Sequence, residues 1–569
     1  MFYIALPMLI TDDQLKELVL KTGLAANQQV IDDVSQFAKD TNITFQDALI
    51  ERDIATDENV GILIADFLHI PFIVLAKLSI PEDLLHLVPE KTARKQKIIP
   101  FAKDADGIKV AMADPTNTEI QEAIAKKTNL RVIPYLTTER DIENTLRIFK
   151  RDLQTIFEDL IKHESEQTGL SPSDEAPIEK IVTLLIEFAY QDKTSDVHIE
   201  PQEKNSLVRF RIDGILHDVL VLPKNYHERV ISRIKILSRL RTDEHLAPQD
   251  GKMRAKLDEE DLDIRVSILP IADGEKAVLR LLASKFRQFS LIDLGMSEED
   301  LKKVTAAYNK SFGMVLSTGP TGSGKTTSIY SILKIINTRE KNITTIEDPV
   351  EYRIKGVNQI QVNVKANLTF ASGLRSILRQ DPNVVFVGEI RDGETAGIAV
   401  NAALTGHLVV STLHTNDAAT SLPRLIDMGI EPFLVASTVN VIIAQRLIRR
   451  ICDMCKATYT IPITEITKYI PVDIVRRHFG DKHDISVFRG QGCKVCRFTG
   501  YTGRLGVFEV LEVTKEIRKL ITQKYDSDVI SRKAIEEGMT TMLEDGLNKV
   551  TKGITTIEEV LRVTKVESL

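Results

Sequence analysis

At 569 residues the chain is too long for a single core, and its length implies three or four domains. Hydrophobic residues make up 43% and charged residues 27%, an ordinary composition with ample material for packed cores. With 74 Lys and Arg against 81 Asp and Glu the net charge is −7, which speaks against a surface that holds polyanions broadly, though a local basic patch remains compatible.

The chain begins MFYIALPMLI, without a basic start or a small-residue cleavage site, and reads as a strand or exposed end. Helical spacing follows over Asp12 to Leu20 and Asn27 to Phe37. The most apolar stretch, residues 61–80, is broken by Asp66, His69, Pro71 and Lys77, so no segment is suited to span a bilayer. Cytoplasmic residence, with peripheral attachment to the inner face of the cytoplasmic membrane through partners, is the expectation. Residues 83–148 read as mixed α/β, with KIIPFAKDADGIKVAMADP forming two strands about an Asp-Gly turn. Residues 162–177, rich in Ser, Pro and acids, read as a linker.

From Pro177, Ile178, Ile181, Leu184, Leu185 and Phe188 recur at helical spacing. Alternating strands follow (SDVHIEP, SLVRFRIDGIL), then a basic helix from about Arg229 to Leu240, then LDIRVSILPI and KAVLRLLAS. From about Leu291 the order becomes helix, buried strand, Gly-rich loop, helix, strand, the layering of a P-loop domain. The stretch from Lys515 reads as a helical bundle. The expected domains are 1–150 (partner docking), 151–176 (linker), 177–285 (smaller α+β domain), 286–450 (ATPase core), 451–510 (tetracysteine module) and 511–569 (C-terminal helices).

GPTGSGKTT fits GxxxxGK[ST] through Gly319, Gly324, Lys325 and Thr326, after an apolar strand and before a helix, the context that pattern requires. Gly319, Pro320, Thr321, Gly322, Ser323, Gly324, Lys325, Thr326 and Thr327 are therefore the candidate ATP contacts. Backbone N–H groups would wrap the phosphates, Lys325 would reach the β- and γ-phosphates, and the Thr326 hydroxyl would ligate Mg²⁺. NVVFVGEIRD is a buried strand leading to Glu389, a carboxylate for Mg²⁺ held directly or one step removed. TTIEDPVEY ends a strand in Glu347, Asp348 and Glu351. In TGHLVVSTLHT, His407 and His414 bracket an apolar strand, which suggests a sensor pair.

All four cysteines fall in two CxxC pairs, Cys452/Cys455 and Cys493/Cys496, the spacing of a tetrahedral Zn²⁺ site; a redox pair or buried thiols are the alternatives.

These runs together resemble the secretion ATPases of type II secretion and type IV pilus systems. GPTGSGKTT resembles their Walker A, TTIEDPVEY their aspartate box, NVVFVGEIRD their Walker B and TGHLVVSTLHT their histidine box, with SDVHIEP, VRFRIDG, PQDGK, DIRVS and GEKAVLRLL matching upstream. The resemblance implies an α/β, multi-domain fold: a RecA-like P-loop NTPase core, a PAS-like α+β second domain, a zinc-binding insertion and an α/β N-terminal domain. It implies that Glu351 is the catalytic glutamate and Glu389 the metal-associated one, and that Arg265 and Arg280 reach the nucleotide from the smaller domain. It also implies a homohexamer acting on an inner-membrane platform protein and a scaffold. The tetracysteine module followed by GYTGRLGVFEV resembles assembly motors rather than the shorter retraction motors.

Some N-terminal domains of the family bind cyclic-di-GMP through RLGxxL-type segments. Here DQLKELVLKTGL and ITFQDALIERDI stand in those places, with Lys16 and Asp53 where glycine is expected, and docking to a scaffold is the expected use. Type IV pilus extension is the leading expectation, with type II secretion as its variant. A nucleic-acid translocase is the alternative of another class, and 5% aromatics with no Trp argue against it.

Overall fold

The structure is a computed structural model that describes residues 9–24, 27–41, 43–52, 54–75, 78, 80–85, 87–146, 153–168, 178–257, 261–282 and 290–564. Residues 1–8 of the strand or exposed end expected at the N-terminus, Asp53, and residues 169–177 of the expected linker lie outside these. The chain divides into two compact units, one of Lys150–Gln288 and one of Met1–Phe149 with Phe289–Leu569.

In the larger unit a seven-stranded sheet runs in the order Asn358–Gln361, Ile343–Glu347, Val384–Val387, Leu408–Leu413, Gly313–Thr318, Val439–Ile451, Tyr501–Glu512. The first six are parallel and the last is antiparallel. Gly313–Thr318, Val384–Val387 and Leu408–Leu413 are buried at every position, as central strands covered on both faces must be. Alternation sorts their side chains. Met314, Leu316, Val385, Val387 and Val409 pack on one side with helices Gly393–Leu404 and Pro432–Thr438, whereas Val315, Val384, Phe386 and Val410 pack on the other with Glu298–Tyr308 and Lys325–Ile336.

GYTGRLGVFEV thus belongs to this sheet and not to the cysteine module, because Leu505, Val507, Phe508, Val510 and Leu511 are buried and Tyr501–Glu512 pairs along nearly all of Val439–Ile451. The excursion between them holds the hairpin Lys456–Pro462 with Asp484–Gly490. Its core is shared: Ile466, Val475, Ile485 and Val487 pack against Leu547, Val550 and Val560 of the C-terminal helices.

The described residues between 9 and 146 build two hydrophobic cores. Helices Asp12–Lys21, Gln28–Thr41, Phe45–Glu51 and Asp57–Leu68 close over Val19, Ile31, Phe45, Leu49 and Val60. The hairpin Ile98–Asp104 with Gly107–Met112 follows, and Val132–Leu136 joins it in parallel after the helix Thr118–Thr128. The hairpin's two-residue turn is Ala105-Asp106. Gly107 opens the second strand with φ 144°, and a Cβ there would lie 2.1 Å from the Arg131 carbonyl oxygen, so close approach and not the turn demands glycine.

The smaller unit is a six-stranded antiparallel sheet whose apolar face is covered by helices Ile178–Gln191 and Lys224–Leu237. A third helix, Leu153–Thr168, occupies most of the expected linker. Leu153 and Phe157 are buried in this unit's core and Leu160 and Ile161 pack against it, a helical stripe that overrides the polar composition around it. The opposite face is polar, and there Arg265 and Arg280 are direct cross-strand partners.

Candidate nucleotide site and cysteine cluster

The strand Gly313–Thr318 ends at the glycine loop, and helix Lys325–Ile336 begins directly after it. Gly324 caps the helix in the left-handed region at φ 92°. Gly319 has φ 143°, and a Cβ there would stand 2.5 Å from the Gln445 carbonyl oxygen and 2.7 Å from Ser323 Oγ. The Gln445 amide donates to the Ser323 carbonyl at 2.9 Å, tying the loop to the neighbouring strand. Lys325 Nζ donates to the carbonyls of Gly319 (2.7 Å) and Pro320 (3.1 Å). Burial holds its ammonium below the usual lysine range, with the charge of Glu389 opposing. Ser323 Oγ is buried with no hydrogen-bond partner among the described residues. An unpaired hydroxyl in a glycine loop, at a helix N-terminus and beside a lysine, suits a phosphate oxygen. Pro320, Thr321 and Gly322 are exposed along the rim, and Thr326 and Thr327 are half-buried at the helix start.

Carboxylates gather at the same edge of the sheet. Glu389 lies two residues beyond Val384–Val387; one of its oxygens accepts from Arg391 at 2.7 Å and the other is 3.0 Å from His414 Nε2. That pairing raises Arg391 further above neutrality. His414 follows Leu408–Leu413, and the N–H of the next residue, Thr415, donates to Thr318 Oγ1 at 2.9 Å. Glu351 is half-buried on the loop after Ile343–Glu347, with its backbone N–H donating to the Tyr330 hydroxyl at 3.3 Å, while Asp348 is exposed.

Two expected site residues stand apart. Glu347 is 2% exposed and points into the core, where Tyr330, Thr345 (2.6 Å) and Gln359 (3.2 Å) all donate to its carboxylate. Burial raises its pKa against those donors, and three of its roughly four acceptor sites are taken within the core. His407 precedes Leu408–Leu413, which runs parallel to Gly313–Thr318, so it lies at the edge of the sheet away from the glycine loop. Six residues at about 3.3 Å each separate the two edges by roughly 20 Å. Its Nδ1 sits 3.0 Å from the Ala402 carbonyl oxygen.

In the other unit Arg280 Nε donates to the buried Asp196 at 2.8 Å; Arg211 flanks the same carboxylate at 3.6 Å, and Ser195 Oγ donates to it at 2.9 Å. Sequence reasoning passed over Tyr330, Gln359, Gln445 and Arg391. Gln445 carried a signal, a polar residue inside the apolar run VNVIIAQRLI.

The four cysteines converge, with all Sγ atoms within 4.8 Å of one another and none in a disulfide. Cys452 and Cys493 are 3.8 Å apart, as are Cys455 and Cys496. Backbone N–H groups point at the sulfurs: Gly492 at Cys455 (3.3 Å), and Cys493 (3.1 Å) and Gly500 (3.3 Å) at Cys496. Burial raises the Cys452 thiol and pushes Cys455 up to about 11; at Cys496 burial is outweighed by its N–H donors and the thiol is lowered. A Cβ on Gly490 would fall 2.0 Å from the Gly500 carbonyl oxygen, so the two cysteine loops meet backbone to backbone. Four sulfurs so placed, with N–H donors that favour thiolate, fit a tetrahedral Zn²⁺.

The family described as type II/IV secretion system protein matches residues 171–562, and the MshEN domain matches residues 68–154. The chain belongs to the type II/IV secretion system protein family. The type IV pilus assembly ATPase PilB of Myxococcus xanthus is 35% identical over 563 residues, covering 96% of this chain and 98% of that protein. The type II secretion system protein E of Pectobacterium carotovorum is 39% identical over 506 residues, covering 85% and 98%. Among solved structures the Legionella pneumophila ATPase DotB superposes with a TM-score of 0.50 at 21% identity, over 67% of this chain and 94% of that one, a likeness of fold. In this secretion-family chain no helix among the described residues is long and apolar enough to cross a membrane.

Proposed function

We propose that this ATP-hydrolysing chain is the assembly motor of a type IV pilus. The observation that carries the reading is the Myxococcus pilus assembly ATPase, which aligns with 96% of the chain, its N-terminal region included. The 39% identity to a type II secretion protein E keeps a secretion pseudopilus as the second reading.

The loop Gly319–Thr327 with Lys325 would hold the phosphates, and Thr326 with Glu389 would hold Mg²⁺, which when bound neutralises charge between the phosphates. Glu351 would orient and activate the attacking water. His414 holds Glu389 at the loop edge. Asp348, exposed at the start of the loop that carries Glu351, would add negative charge on the metal's side. Arg265 and Arg280, with Asp196 steadying Arg280, would be brought to the nucleotide by domain closure in a homohexamer. An arginine so delivered accelerates phosphoryl transfer by about 10³ to 10⁵. The smaller unit is read as PAS-like, and the four cysteines as a structural zinc site. The N-terminal domain would dock to a membrane-associated scaffold and the ring would drive an inner-membrane platform protein from the cytoplasmic side.

A Mg²⁺-dependent ATPase assay on size-fractionated protein, with and without DNA, tests the enzyme. Hydrolysis confined to the hexamer fraction and indifferent to DNA is expected, whereas strong DNA stimulation would replace this reading with a translocase. Glu351→Gln should bind ATP normally and lose turnover. Deleting the gene should remove surface pili and spare protein secretion; the reverse result selects the secretion reading.

A further inference from the structure

Residues 348–357, which carry Glu351, form a loop between two strands without regular structure. Ile354 is buried in the core, and two polar residues grip the loop around Glu351: Tyr330, in the helix that starts at the glycine loop, and Gln359, on the neighbouring strand. Tyr330 is 0% exposed, with its ring edge-on to Tyr352 at 4.6 Å and to Phe386 at 6.2 Å. Its hydroxyl donates to Glu347 and accepts from the Glu351 N–H and from Gln359 Nε2, both at 3.3 Å. A phenol has one hydrogen and two lone pairs, so with Glu347 taking the hydrogen a lone pair is left for the Glu351 N–H, while the Gln359 amide shares its two hydrogens among Tyr352, Glu347 and Tyr330. Gln359 grips the next residues, its Nε2 donating to the Tyr352 carbonyl at 3.1 Å and its Oε1 accepting from the Ile354 N–H at 2.7 Å.

We propose that Tyr330 is a positioning residue for hydrolysis: its hydroxyl fastens the backbone of Glu351 to the helix of the phosphate loop, and the buried Glu347 aims that hydroxyl. The inference rests on the reading of Glu351 as the group that activates water. The helix N-terminus and the Glu351 loop are then tied together at the residue that carries the carboxylate, beside the grips of Gln359 and of Asn337, whose amide donates to the Lys355 carbonyl at 2.8 Å. Burial also keeps the phenol protonated, so it stays a donor to Glu347.

The test is Tyr330→Phe in the full-length oligomer, which keeps the ring packing and removes only the hydroxyl. The expected result is kcat lower by about 10- to 100-fold, since a small misplacement of a reacting group is that costly, with KM for ATP and affinity for a fluorescent ATP analogue within about 2-fold. Thr345→Val removes a donor to Glu347 without touching the Glu351 contact and should keep kcat within about 3-fold. Wild-type kcat in Tyr330→Phe overturns the proposal. So does an equal loss in Thr345→Val, or parallel losses of affinity and turnover, because each would mark general damage to the core. If Tyr330→Phe is recovered only as aggregate, Gln359→Met carries the same expected split, and normal turnover there overturns the proposal. Glu351→Gln is measured alongside. Normal turnover in it removes the Glu351 reading, whereas an inactive Glu351→Gln beside a fully active Tyr330→Phe removes only the role of Tyr330.

Discussion

The two edges of the central parallel sheet carry a histidine each, yet their surroundings differ throughout. At the edge where the strands end, His414 meets Glu389, whose other oxygen holds Arg391, and the next residue ties into Thr318 at the mouth of the glycine loop. At the edge where they begin, His407 rests on the Ala402 carbonyl and its own carbonyl accepts from Gly313. Loops after parallel strands collect at one edge, and ligands bind there. Position along the strand direction therefore separates a group beside the glycine loop from one that closes a turn, and side-chain type does not.

The strongest way to break this contrast is at the loop itself. Lys325→Ala removes a partly desolvated ammonium from the phosphate position, and a charged hydrogen-bonding pair is worth about 3 kcal/mol, so nucleotide affinity should fall about 100-fold. Titration with a fluorescent ATP analogue measures it, and unchanged affinity would take the nucleotide away from this edge. The next largest effect lies off the sheet. Wild-type protein should carry one Zn²⁺ per chain by elemental analysis, and replacing Cys493 and Cys496 with Ser should release it. Because the excursion shares its core with the C-terminal helices through Ile485, Val487, Leu547 and Val560, that loss should also lower the melting temperature. A metal-free wild type would sink the zinc reading.

The loop and the cysteines were legible in the sequence because both are local: a glycine pattern set between strand and helix, and two CxxC pairs. Chain direction also held the answer for the histidines. In a parallel sheet the residue before a strand and the residue after it lie at opposite edges, which sets His407 apart from His414. Glu347 was harder, since its strand burial was plain while its three donors come from residues 2, 12 and 17 positions away along the chain. The helix Leu153–Thr168 was hidden by composition, its apolar stripe fading into HESEQT. Glu244 and His245 illustrate what tertiary contact alone reveals: His245 and the buried Lys235 share Glu275, and Lys235 also donates to the Glu244 carbonyl.

The finest test of the contrast uses the two histidines in matched substitutions. His414→Ala frees one oxygen of Glu389 and leaves Arg391 to pull the carboxylate toward itself, so kcat should fall by about 10-fold or more while folding is kept. His407→Ala removes one contact to a carbonyl that the N–H groups of Thr405 and His407 also reach. Its cost should be about 1 kcal/mol of stability at most, read as a small drop in melting temperature, with turnover per folded chain unchanged. A large loss of turnover in His407→Ala with intact nucleotide affinity would mean that the far edge takes part in the cycle. The place for it to act would then be a contact between subunits, and the two edges would have to be read as two halves of one site.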